Sequence, residues 1–149
     1  MTAANQTAEP QPPSYYERLG SAPGIRQLVT DFYDAMECND KFTELRRIHA
    51  PDLAPMRETL FEFLSGWLGG PRTYWERPDA KCMMSAHAGL PITLELADQW
   101  ITCMQYAVNK IPAEQEDRDA VIDAFTRIGR AMIRQPAAQT VERADAHTA

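Results

Sequence analysis

Large apolar side chains recur at intervals of three and four residues through the whole middle of this chain, and no segment alternates apolar and polar residues convincingly with a period of two. Such a pattern gives helices apolar stripes to bury but offers no face to a sheet, so the fold class is all-α. The stripes read Ile25, Leu28, Val29, Phe32, Tyr33 and Met36; then Leu53, Met56, Leu60, Phe63, Leu64, Trp67 and Leu68. A third, Leu94, Ala97, Trp100, Ile101, Met104, Val108 and Ile111, covers well over a third of a helix circumference and predicts deep burial. The last comprises Val121, Ile122, Phe125, Ile128, Met132 and Ile133. With 149 residues the chain fits one domain, large enough to bury a core or a cofactor.

Turn residues separate the stripes. A short helical turn over Tyr15-Tyr-Glu-Arg-Leu19 precedes Gly20-Ser-Ala-Pro-Gly24, which predicts a Ser21 cap and Pro23 in the first turn of the helix that follows. Phe42 to Ile48 reads as a weaker turn or two, and Pro51 opens the chain just beyond His49, placing that histidine at a corner. A helix starting near Asp52 ends at Gly69-Gly70-Pro71, and the polar and aromatic run from Arg72 to Ala80 predicts a loop. His87 stands in a short apolar helical turn that Gly89 and Pro91 stop almost at once. Thr93 starts the next helix and Pro112 closes it; Glu114 to Arg134 forms the last, acidic early and arginine-rich late. Residues 1–13 and 137–149 carry few large apolar side chains, which predicts disordered ends around an ordered domain over residues 14–136.

Charge and cysteine content exclude several classes. Fifteen basic against 21 acidic residues give a net charge of -6, and the basic residues are scattered, which argues against a nucleic-acid partner or an anionic membrane surface. Cys38, Cys82 and Cys103 are odd in number and fit no CxxC or CxxCH spacing, so no disulfide framework, zinc site or covalent haem attachment is indicated. Reduced thiols in a cytoplasm fit that count. No apolar run reaches the roughly 18 residues that span a bilayer, and the N-terminus lacks the basic start and apolar core of an export signal.

A buried apolar pocket walled by several helices, with a histidine on a truncated helix and Tyr33, His49 and Trp100 on other segments, has the parts of a haem site. Their order and spacing resemble the truncated, two-over-two globins, most closely group II, which carries a tryptophan on the penultimate helix. The resemblance runs from about Tyr15 to Arg134. It is carried by Phe32-Tyr33, Leu45-Arg-Arg-Ile-His49, Phe61-Glu-Phe-Leu-Ser-Gly-Trp-Leu-Gly-Gly-Pro71, His87, Leu90-Pro-Ile-Thr93 and Asp98-Gln-Trp-Ile-Thr-Cys-Met104. The resemblance implies a globin-like helical sandwich around haem b, held non-covalently with His87 as the iron ligand. Tyr33, Trp100 and His49 then reach the bound ligand from the distal side, where Met56, Leu60 and Phe63 form the wall. Group II members commonly place arginines near the proximal histidine for the haem propionates, whereas this chain has Met84 and Ala86 there. Arg72, Tyr74, Arg77 and Lys81 are substitutes by location, and Met84 becomes a haem contact.

The chemistry of these residue types agrees with the roles. A neutral imidazole binds iron through one nitrogen and donates its other N–H to a nearby carbonyl, which a short helix supplies. Bound dioxygen carries partial negative charge and is stabilised by phenol, indole or imidazole hydrogens aimed at it. Dioxygen, carbon monoxide and nitric oxide are the expected ligands, a reductase a possible partner, and a monomer or homodimer the expected state. Two other readings remain open: a haem enzyme acting on nitric oxide or peroxide, and a haem-free interaction module of globin shape.

Overall fold

The computed structural model describes residues 11–82 and 86–133. Most of the expected terminal disorder and the Met84 contact therefore lie outside the described residues, and the last helix, expected to run to Arg134, ends earlier, at Ala131 with Met132 as its C-cap. Residues 11–13 are described; they form no helix and are exposed.

Among the described residues six α-helices are set out in order: α1 (Tyr15–Arg18), α2 (Ser21–Cys38), α3 (Thr43–Arg47), α4 (Ala54–Trp67), α5 (Leu94–Val108) and α6 (Gln115–Ala131). Short 3-10 turns stand at Asp40–Phe42 and Tyr74–Glu76. No strand occurs among the described residues. Helix α2 packs on both α4 and α5, and α5 packs on α6, so an α2/α4 pair is stacked with an α5/α6 pair in a two-over-two sandwich. The contact is the one the stripes prescribe. Ile25, Leu28, Val29, Phe32, Tyr33 and Met36 of α2 are buried in one cluster with Cys103, Met104, Ala107 and Val108 of α5. Each large side chain buried there contributes roughly 1.5–3 kcal/mol, more than the few tenths that valine and the aromatics lose in helix propensity.

Local chemistry sets the ends. The Ser14 hydroxyl accepts the Glu17 N–H while Glu17 accepts the Ser14 N–H, a closed capping box for α1. Asp52 accepts the Ala54 N–H at 3.0 Å and Pro55 fills the first turn of α4. As expected, Thr93 caps α5 by accepting the Leu96 N–H at 3.1 Å. Arg18 bonds Asp117 at 3.1 Å, fastening α1 to α6, while Arg26–Glu58 at 2.7 Å and Arg57–Asp34 at 3.0 Å link α2 to α4.

Two expectations are corrected. Ser21 does not cap α2: its hydroxyl makes no cap bond, it is itself the first helical residue, and Gly20, at a φ of 104°, makes the left-handed entry that glycine adopts without strain. Leu94 is not inward but 55% exposed. It opens the first turn of α5, and burial on that face begins one turn later at Ala97, with Cys103 and Ala107 completing the inner surface.

Candidate functional site

A cavity of about 470 Å³ opens within the sandwich, inside the ~300–1,000 Å³ range of cofactor and ligand pockets. Phe32, Leu60, Phe63 and Leu64 wall it on the α2/α4 side, and Leu96, Ala97, Ile128 and Met132 on the α5/α6 side. Eight residues singled out from the sequence line it: Tyr33, His49, Met56, Leu60, Phe63, Tyr74, His87 and Trp100. They come from six stretches of chain. Met56, at 39% exposure, stands at the rim.

His87 is half-buried in a turn held by backbone bonds from Ala86 N–H to Cys82 O at 2.9 Å and from Leu90 N–H to His87 O at 3.1 Å. Beside it Leu90, Ile92, Leu96, Ala97 and Met132 form a second, separate apolar cluster. A flat apolar ring would find aliphatic contacts on this wall.

Tyr33 is 2% exposed, with its ring edge-on to Phe32 at 4.9 Å and the Arg57 guanidinium 5.5 Å from its centre. Among the described residues its hydroxyl has no hydrogen-bond partner, yet it is not sealed, because the one sealed and unpaired side-chain polar atom there is Arg118 Nε. The hydroxyl therefore opens on the cavity. Burial raises the phenol well above the ordinary tyrosine range against a smaller opposing effect of Arg57, so it remains an O–H donor.

Trp100 is half-buried, edge-on to Phe125 at 5.7 Å and to Phe32 at 6.3 Å. Its ring is set by the close crossing of α5 and α6. A Cβ at Gly129 would come within 2.9 Å of Ile101 Cγ1 and 3.2 Å of Trp100 Cε3, so only glycine fits without displacement.

His49 does sit at the corner after α3, edge-on to Tyr33 at 6.1 Å. Its Nδ1 donates to the Leu45 carbonyl at 2.8 Å, and the Leu45 N–H donates to Gln99 Oε1 at 3.0 Å. Arg46 donates to the carbonyls of Ala50 and Pro51 at 3.0 and 2.9 Å, so the corner is tied from both sides. Burial holds the imidazole below its ordinary value, the Leu45 bond opposes this, and the charges of Arg46 and His87 add to it. Gln99 was not singled out from the sequence; a polar side chain directly before Trp100 on a largely buried helix was the available signal.

The proposed propionate partners are arranged differently. Arg77 is committed to Glu62 at 2.7 Å, and the Tyr74 hydroxyl donates to the Lys81 carbonyl at 2.8 Å. Arg72 and Lys81 are exposed outside the cavity wall, Arg72 with its guanidinium 4.9 Å from the Trp75 ring centre. An apolar cavity of this size with two imidazoles, His87 and His49, and a few other polar tips fits a porphyrin's flat apolar body and its iron.

The family model for bacterial-like globins matches residues 14–134. A group 2 truncated hemoglobin of Bacillus subtilis is 31% identical over 124 residues, covering 83% of this chain and 91% of the relative. The chain belongs to the bacterial-like globins, in their group II truncated branch. As a globin it is a haem-binding, oxygen-binding protein. The cold-adapted truncated hemoglobin of the Antarctic marine bacterium Pseudoalteromonas haloplanktis superposes with a TM-score of 0.79 at 30% identity, over 83% of this chain and 99% of that one. A truncated oxygen-avid haemoglobin from Bacillus subtilis gives 0.73 at 30% identity, over 82% and 100%. No helix among the described residues of this globin is long and apolar enough to cross a membrane.

Proposed function

We propose that this globin holds haem b non-covalently through His87 and binds dioxygen, carbon monoxide or nitric oxide beside Tyr33, Trp100 and His49. The carrying observation is that His87 and these three residues, from four separate segments, line one apolar cavity. The haem supplies the iron at which the diatomic ligand binds. The chain supplies the rest. Leu60 and Phe63 exclude water, Tyr33 and Trp100 offer an O–H and an N–H with no other partner among the described residues, and the exposed cations Arg72 and Lys81 serve the propionates.

At ~1 kcal/mol for each net hydrogen bond, the two contacts from Tyr33 and Trp100 slow ligand release by roughly one to two orders of magnitude. Holding or sensing oxygen suits such retention better than rapid delivery, and the Bacillus subtilis relative is itself described as oxygen-avid. The reading includes a cytoplasmic location, supported by cysteines that fit no disulfide framework. Absorption spectra of the purified chain, ferric and ferrous, with and without carbon monoxide, test it. A Soret band that shifts on reduction and again with carbon monoxide is expected; absence of that band after haemin is supplied refutes the proposal.

A further inference from the structure

We infer that His49 faces the cavity as a proton acceptor, and that the site thereby takes small weak acids of the type HX, such as hydrogen cyanide or hydrogen peroxide, whose conjugate base binds at the iron. This deepens the haem reading above and rests on it.

A carbonyl oxygen has only lone pairs, so the 2.8 Å contact to Leu45 O requires the ring hydrogen on Nδ1. In the neutral imidazole Nε2 then carries a lone pair, and it has no bond to a described residue. The sequence-based expectation that His49 donates to the ligand is thus inverted. The tautomer is held firmly. Leu45 cannot swing away while Gln99, one residue before Trp100 on α5, accepts its N–H, and Arg46 spans the next carbonyls of the corner. Around the imidazole stand Arg46 from α3, His87 from the turn before α5, and Tyr33 from α2 with Arg57 of α4 over its ring. Arg46 and Arg57 are each within 3.5 Å of Glu37, which tempers their field. Burial, with the charges of Arg46 and His87 adding to it, holds the His49 imidazole below its ordinary value, which favours the neutral ring whose Nε2 lone pair can take a proton.

The wall therefore offers two donors, Tyr33 and Trp100, and one acceptor. Dioxygen has no proton to give and meets the donors. A weak acid can use all three: the H–X bond breaks, its electron pair stays on X, the proton passes to Nε2, and the anion is met by the O–H and N–H. No electrons change owner, and half-buried His49 returns the proton to solvent.

The test compares the full chain loaded with haem, wild type and His49→Phe, which keeps an aromatic ring beside Tyr33 but has no Nε2. Association of cyanide with the ferric form and of carbon monoxide with the ferrous form is followed in the Soret band at neutral pH. The ratio of the two rates should fall about a hundredfold, the lower end of what a positioned proton acceptor contributes. Nitrogen-15 spectra of the diamagnetic ferrous carbonyl form should show His49 protonated at Nδ1, with Gln99→Leu admitting the other tautomer. An unchanged ratio, or a hydrogen on Nε2 in the wild type, overturns the role of His49 and leaves the haem reading intact. Failure to take up haem refutes both.

Discussion

Replacing Tyr33 by phenylalanine separates the work of one hydroxyl from the work of a ring. The ring packs on Phe32 and under Arg57, and phenylalanine keeps both contacts. The hydroxyl has no partner among the described residues and opens on the cavity, so its removal breaks no bond in the protein and should shift the stability of the haem-free chain by less than about 0.5 kcal/mol. Ligand retention is another matter. A hydrogen bond to a partly charged acceptor contributes about 1.5–3 kcal/mol, which converts to dioxygen release about ten to a hundred and fifty times faster. Because burial raises the phenol, its hydrogen is present throughout the neutral range and the acceleration should be the same at pH about 6 and about 8. Stopped-flow displacement of dioxygen by carbon monoxide measures the rate, and thermal melting of the haem-free chain measures the stability. Release within about threefold of wild type, with melting and the Soret band unchanged, would show that Tyr33 donates nothing to the ligand.

Three further outcomes follow. His87→Ala should weaken haem binding by at least about a hundredfold, the upper end of what losing a mere outer-shell partner costs, and should alter the ferrous carbonyl spectrum; unaltered retention and spectra would remove His87 as the ligand. Gly129→Ala gains about 1 kcal/mol in helix propensity and loses about 1–3 kcal/mol to crowding of Ile101 and Trp100, so stability should drop by about 0–2 kcal/mol and dioxygen release should change with it. An unmoved release rate would mean Trp100 does not touch the ligand. Cys103, whose thiol donates to Phe32 O at 3.2 Å and is pushed up to about 12 by burial, should resist alkylation at pH about 8 while exposed Cys38 reacts. Its folded value lies above its unfolded one, so its contribution to stability is complete below the ordinary thiol range and is lost as pH rises toward about 12; an alkaline melting series in which Cys103→Ala removes part of the decline checks the sign.

The sandwich and a shared space for Tyr33, His87 and Trp100 were implied by the resemblance to group II globins, which motifs carry. Periodicity reports which face of a helix is apolar, and that was enough for the all-α class alone. It says nothing about where the neighbouring element stops, which is why Leu94 continues the α5 stripe yet lies in the open, and why Met56 continues the α4 stripe yet stands at the rim of a cavity. Polar pairing across long separations leaves even less trace. Arg77 falls in the loop where a propionate partner belongs, but Glu62 takes it from fifteen residues back. Gln99 has the look of a solvated residue until the Leu45 N–H, fifty-four positions away, requires an acceptor in that place. The histidine at the corner shows the consequence most clearly. Its identity and position are readable from Leu45-Arg-Arg-Ile-His49, but whether it gives or takes a hydrogen at the cavity depends on which ring nitrogen the Leu45 carbonyl occupies, a choice made by the backbone path of α3 and its tether to α5. Donor and acceptor histidines are the same letter in a sequence, and they select different ligands.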